Sequence, residues 1–366
     1  MPSLTAIRRD LRALVQSRAF SQIDAYYSDL ERQDWDTTDQ QGSLYSEAAL
    51  SGTLFDYSTV PYPQAADFLQ AWIAACPDSY HAHLVLGNFC FGRAADIRGF
   101  GWADSVTQDR WIGAALACET AAAALLKAMT LSPRPVAACV TMMQMAAHFK
   151  EPYWLRQLFE GNPSETITED DVEEPGLMDA ALAHLAEYGV PRLQPDQAPQ
   201  SLPAWLAPRA EHEMEQGKDY WLLRASELRP GHLETLIAHA QYLQPRWGGS
   251  YEDIDGLASG PLCETLTEPQ RNAIRWIGLW DELSDFPESE ETQAVQKPIA
   301  RPSNRSCNAT CGQRNAARRW VGSRISSVIR WATTWVRVNC VRRAWRRPPG
   351  ICISARWTGR SAVLRT

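Results

Sequence analysis

Apolar residues recur along this chain with the period of a helix and not with the two-residue period of a strand. Ala65, Phe68, Leu69, Trp72, Ile73 and Cys76 make one stripe, and Val136, Cys139, Val140, Met143 and Ala147 a second. Met178, Ala181, Leu182 and Leu185 form a shorter third, and Leu233, Leu236, Ile237, Ala240 and Leu243 a fourth. Turn signals separate the stripes: Cys-Pro-Asp-Ser at 76–79, Ser-Pro-Arg-Pro at 132–135 and Arg-Pro-Gly at 229–231. Before residue 297 no run alternates strictly with β-branched enrichment, so the body is expected to be all-α.

Three prolines carry an internal repeat. Twelve, eight and five residues before Pro77 lie Ala65, Leu69 and Trp72; before Pro133 lie Ala121, Leu125 and Ala128; before Pro230 lie Lys218, Leu222 and Ala225. The positions nine and ten after each proline are Leu86-Gly87, Met142-Met143 and His239-Ala240. This cadence closes the second helix of a tetratricopeptide repeat and opens the next one with a large–small pair that lets two helices approach. Proline stops the helix before it and sets the turn into the next. Met143 and Lys218 depart from the pattern, and the proline spacings of 56 and 97 residues depart from a regular array of about 34. The expected architecture is therefore an irregular tetratricopeptide-like array of helical hairpins, an α-solenoid. One such hairpin cannot bury both its faces, so its neighbours complete the core. The polar stretches 159–175 and 190–203 read as insertions, and the acidic run 165–174 as a solvated face.

The fourth stripe ends in Gln-Tyr-Leu-Gln-Pro-Arg-Trp-Gly-Gly-Ser-Tyr, residues 241–251. Pro245 cannot continue a helix, Gly248 or Gly249 can take the left-handed conformation that ends one, and Ser250 can cap the next with Asp253 as its capping-box partner. Trp247 is expected to wedge between helices, and Arg246 to bind a carboxylate or helix-end carbonyls. The Pro-Arg-Trp-Gly-Gly-Ser string resembles the hallmark of an uncharacterised bacterial domain-of-unknown-function family, often followed by Sel-type or tetratricopeptide-like repeats. Trp72 to His83, and Arg98-Gly99 followed by a helix into Leu131-Ser132-Pro133, resemble the same family. The resemblance covers roughly residues 60–285 and implies a helical fold, with no activity attached.

Charge divides the chain. Of 366 residues with formal charge −7, the first 296 hold 20 Lys/Arg against all 43 Asp/Glu, and the last 70 hold 16 Lys/Arg and no acid. The acidity of the body argues against nucleic-acid binding there. The opening MPSLTAIRRDLRALVQ reads as an amphipathic helix and lacks the apolar core of a secretory signal. No stretch is expected to span a membrane. Nine cysteines, an odd number, fit reduced thiols, and the expected location is the cytoplasm.

Chemistry is sparse. His81 and His83 stand too close in sequence to share a helical face, and His212 lies between Glu211 and Glu213 without the HExxH spacing. His232 and His239 share a face, with His239 expected in the large packing position. Gly99-Phe100-Gly101 lacks the third glycine of a dinucleotide loop, and neither a phosphate loop nor a nucleophile elbow is present. No metal or cofactor is expected. The candidate binding residues are Arg98, Arg246, Trp247 and His239. An enzymatic alternative requires Arg98, Arg246 and His239 to converge on one pocket.

From about Lys297 the language changes to Arg, Trp, Cys and Ser, with five tryptophans (Trp320, Trp331, Trp335, Trp345, Trp357) and four cysteines (Cys307, Cys311, Cys340, Cys352). Three readings compete. The segment grips nucleic acid through phosphate charge and base stacking; or Val321, Ile325, Val328, Ala332 and Trp335 lie on an anionic membrane surface; or the segment is an out-of-frame translation of a GC-rich gene. The composition favours the last. The expected division is a helical region at 1–60, a tetratricopeptide-like domain at 61–287, and a linker with a poorly ordered basic tail at 288–366. On that reading Trp276, Ile277 and Trp280, in 267–283, lose a covering neighbour. The expected role is a non-catalytic scaffold that holds a protein or peptide partner in the groove between hairpins.

Overall fold

A computed structural model describes residues 3–36, 44–99, 101, 103–172, 174–209, 214 and 217–285. The basic segment beyond residue 296, with the readings attached to it, lies outside the described residues, as does His212. Among the described residues all regular structure is helical, with fourteen α-helices joined by turns and short 3-10 segments. They fall into two compact units, one running to His239 and the other beginning at Ala240.

The first unit opens with α1 (Leu4–Gln16), whose Ser3 hydroxyl accepts from the Ala6 amide, and α2 (Phe20–Asp36). Two short helices follow, α3 (Leu44–Ala48) and α4 (Ser51–Leu54). Tyr27 of α2 is fully buried, donates to the Ala48 carbonyl at 2.6 Å, and stacks on Trp72. α5 (Tyr62–Ala75) carries the first proline cadence, and Ala65, Leu69 and Trp72 are all buried. Ser79 caps α6 (Tyr80–Arg98) through the Ala82 amide.

α6 and α7 (Gln108–Leu131) form the most extensive helix pair. Gly87 explains how closely they approach. A Cβ at that position would lie 2.6 Å from Leu125 Cγ and 3.3 Å from the Ala121 carbonyl oxygen. The small residue of one cadence therefore receives the large residue of the next. Ala121, Leu125 and Ala128 are fully buried. α7 is long and apolar enough to cross a membrane by length and composition alone, with mean hydropathy 1.5 over its most apolar window. Within the fold 83% of that window is buried, as in a core helix.

α8 (Val136–Phe149) pairs with α11 (Gly217–Leu228), although an excursion of the chain separates them. That excursion, residues 150–216, contains α9 (Tyr153–Phe159) and α10 (Leu177–Glu187), the latter packed on α7. It accounts for the 97-residue gap between Pro133 and Pro230. Met142 and Met143 are fully buried in α8, and Leu222 and Ala225 are buried in α11, while Lys218 is half-buried.

A buried clasp closes the excursion. Glu151 at its start accepts two hydrogen bonds from Arg209, at 2.5 and 2.6 Å, and one from the Trp221 indole at 2.5 Å. The Arg209 side chain is fully buried, with its guanidinium 3.8 Å from the Phe159 ring centroid and 4.4 Å from that of Tyr220. A buried charge of this kind needs a partner and hydrogen bonding to be tolerated. Glu151 supplies the countercharge and bonds both terminal nitrogens, the aromatic walls cover the rest, and Nε is left without a hydrogen-bond partner among the described residues.

α12 (Leu233–Gln241) carries the boundary between units. In the second unit a 3-10 turn at Pro245–Trp247 leads into α13 (Tyr251–Ser259), and a second at Pro261–Cys263 precedes α14 (Glu268–Asp285), which packs on α13.

Candidate functional site

The residues singled out from the sequence occupy separate settings. Arg98 ends α6, donates to the Gly99 and Gly101 carbonyls at 2.9 and 3.1 Å, and lies 5.0 Å from the Trp111 ring centroid. Burial lowers its pKa, and its charge adds to the burial that drives His148 down to about 4. His239 is buried on α12, 3.5 Å from Asp219 of α11, and burial holds its pKa at about 3, so the ring is neutral. Arg98 thus holds the turn that follows α6, whereas His239 faces α11. Arg246 and Trp247 belong to the second unit.

There the Pro-Arg-Trp-Gly-Gly-Ser string is a local fastening. Gly248 ends the 3-10 turn at φ 88°, the left-handed region that costs a side chain about 1 kcal/mol or more. Gly249 backs directly onto the chain, where a Cβ would stand 2.3 Å from the Leu243 carbonyl oxygen. Ser250 accepts from the Asp253 amide while the Asp253 carboxylate accepts from the Ser250 amide, a reciprocal capping box. Arg246 pairs with Asp281 of α14, which is only 1% exposed and also accepts from the Tyr251 hydroxyl at 3.3 Å. Trp247 sits edge-on to Tyr242 at 5.7 Å and keeps 36% of its surface exposed. Each residue of the string has a structural task.

The sequence reading missed a polar seam where α2, α3 and the start of α12 meet. Asp34 of α2 takes the Arg229 guanidinium at 2.5 Å, and the Asp34 carbonyl takes it again at 2.7 Å. Arg229 in turn lies 4.7 Å from the Trp35 ring centroid. Around that one ion pair gather three more carboxyl groups. Burial and Asp34 push Glu31 up to about 7 and Glu234 up to about 8, and burial also raises Glu47. One oxygen of the buried Glu47 has no hydrogen-bond partner among the described residues. His232 beside them is held neutral, at about 4, by burial and then by Arg229. His81 extends the same polar layer, its ring nitrogens on the Tyr45 hydroxyl at 3.0 Å and the Ser28 hydroxyl at 3.1 Å. Burial puts it at about 4.

Two further polar groups join the excursion to α7. Glu119, 1% exposed, accepts from the Ile167 amide at 3.1 Å, and burial raises it to about 7. His184 of α10 bonds Asp109 at 2.7 Å, and Asp109 is held below its usual value first by the Thr107 hydroxyl. Among the described residues no cluster of three or more His, Cys, Asp or Glu is placed to hold a metal ion.

The remaining surface feature lies in the second unit. α14 buries Ile274 and Asp281 on one side, yet Trp276 is 52% exposed, Leu279 47% and Trp280 50% on the other. Three large apolar residues thus lie on the side of α14 away from Ile274. The exposure expected at Trp276 and Trp280 is present, while Ile277 is half-buried and Leu279 takes its place in the exposed set.

Residues 7–281 match the family described as Domain of unknown function (DUF4034). The chain belongs to that family. No curated protein and no solved structure matches the chain. The DUF4034 match begins at Ile7, well before the residue-60 limit of the resemblance read from motifs, so it takes in α1 to α4 and with them the α2–α3 half of the polar seam. It ends at Asp281, the carboxylate that fastens Arg246. The span of the DUF4034 match thus includes both the internal polar network and the exposed face of α14.

Proposed function

We propose that this DUF4034 chain is a non-catalytic protein-interaction module of the bacterial cytoplasm, built on tetratricopeptide-like hairpins. The exposed Trp276–Leu279 face of α14 carries the reading. Large aromatic residues half-exposed beside an aliphatic one are the composition of a protein-binding hot spot, and singly scattered apolar residues are not. The fit of Leu125 against Gly87 supports the repeat character of the hairpins. The polar residues first suspected of chemistry have structural partners, which turns attention from pockets to surface. The five described cysteines are free thiols, in keeping with a reducing compartment.

The test is chemical cross-linking of the full chain in its host cell, comparing wild type with Leu279→Glu. The reading expects intermolecular cross-links from the α14 peptide that the substitution removes. Identical cross-link patterns in the two, or none from α14 in either, would refute it.

A further inference from the structure

We propose that helices α1 to α4 are a proton-gated cap on the first unit, closed while the carboxyl groups of the polar seam hold their protons and loosened as those protons leave. The inference concerns the first unit alone and is independent of the α14 face.

α2 reaches the starts of all three helices that follow the cadence prolines. Its Ser28 hydroxyl meets His81 at the start of α6 at 3.1 Å. Its Trp35 ring centroid lies 4.8 Å from the Arg134 guanidinium just before α8, and 4.7 Å from that of Arg229 just before α12. Asp34 holds Arg229 as well. α1 to α4 otherwise pack mainly on one another and meet the helices that follow chiefly at α6, so they can open together as a local unit.

Within this interface acids face one another from different elements. Glu234, in the first turn of α12, faces Asp34 of α2, Glu47 and the Ser46 hydroxyl of α3, Arg229, and the His232 ring at 3.9 Å. Glu47 faces Arg8 of α1 as well as Glu234. Glu31 faces Asp34 on its own helix, Arg134, and the phenols of Tyr45 on α3 and Tyr80 on α6. Glu47 is 5% exposed and the Glu234 side chain 11%, and each has one buried oxygen without a hydrogen-bond partner among the described residues. Ionising such a group in place costs both its hydration and its repulsion from the next acid. Burial first, and Asp34 after it, accordingly raise Glu31 to about 7 and Glu234 to about 8. Opening the seam returns both to the ordinary carboxyl range, so the closed form binds more protons and is lost as pH rises through 7–8.

Amide hydrogen exchange of the full chain, read by mass spectrometry at pH 6 and pH 8.5 and corrected for the intrinsic pH dependence of exchange, tests this. Protection of α1 to α3 should fall about tenfold or more between the two, while the core of α7 around Ala121 and Leu125 keeps its protection. Glu31→Gln and Glu234→Gln should each shrink the fall, and the two together should abolish it. Protection of α1 to α3 that is the same at both pH values overturns the proposal, as does a fall shared equally by α7, which is global unfolding and not a cap. A fall that persists in full in the double variant also overturns it. The wild-type comparison is decisive by itself should a variant fail to fold.

Discussion

Replacing Gly87 by alanine should destabilise the wild-type protein and stabilise a variant that lacks the Leu125 side chain. In wild type the new methyl would sit 2.6 Å from Leu125 Cγ and 2.7 Å from its Cδ2, against a fully buried side chain. Overpacking of this kind costs about 1–3 kcal/mol, and the gain in helix propensity on leaving glycine returns about 1 kcal/mol. The net effect is a loss of up to about 2 kcal/mol. Leu125→Ala alone should cost about 2–5 kcal/mol through its cavity. With Leu125 truncated, both clashing atoms are gone and the nearest remaining neighbour is the Ala121 carbonyl oxygen at 3.3 Å. Gly87→Ala then keeps its propensity gain and fills part of the void, for a net stabilisation of about 1 kcal/mol. Urea unfolding of the four proteins, followed by circular dichroism, closes the cycle. The account requires a coupling of about 1–3 kcal/mol and a reversal of sign. The same Gly87→Ala effect in both backgrounds would show that α6 and α7 do not meet at these residues.

Three other outcomes follow from the same structure. Glu151→Gln, which removes the countercharge beside Arg209 while keeping the shape, should cost about 3–5 kcal/mol and speed proteolysis within the 150–216 excursion; an unchanged urea midpoint would remove the clasp from the account. Gly249→Ala should be far more damaging than Gly248→Ala, because the first drives a methyl into the Leu243 carbonyl and the second adds only left-handed strain; equal melting temperatures would contradict the turn geometry. Stability should peak on the mildly acidic side of neutrality. Glu31, Glu119 and Glu234 have folded pKa values raised from 4.5 to about 7, 7 and 8, so their contribution is full below 4.5 and disappears as pH rises through 7–8. His81, His148 and His232 are lowered from 6.5 to about 4, so theirs is full above 6.5 and is lost as pH falls toward 4. Glu234→Gln should flatten the alkaline limb of a melting-temperature profile, and an unaltered limb would rule Glu234 out as its source.

Local patterns carried much of this fold. The helical period and the proline cadence placed Ala65, Leu69, Trp72, Ala121, Leu125 and Ala128 in the core, where all are buried. The string at 245–250 declared its turn, its left-handed glycine and its capping box, since each depends on residues no more than a few positions apart. The partners of distant residues were not legible. Glu151 and Arg209 are 58 apart, and Asp34 and Arg229 are 195 apart, with no periodicity to link them. The polar seam stayed hidden for the same reason: single carboxylates on amphipathic helices look solvated until tertiary packing buries them. His184 drew no notice because its partner Asp109 lies on another helix 75 residues away.

The claim that this chain acts through the face of α14 meets its most direct test in hydroxyl-radical footprinting of Trp276. Purified and dilute, the side chain should oxidise readily, as its 52% exposure demands. Inside the cell the account predicts that the same tryptophan is protected, with Leu279→Glu restoring its reactivity. Equal oxidation of Trp276 in dilute solution and in the cell would contradict it.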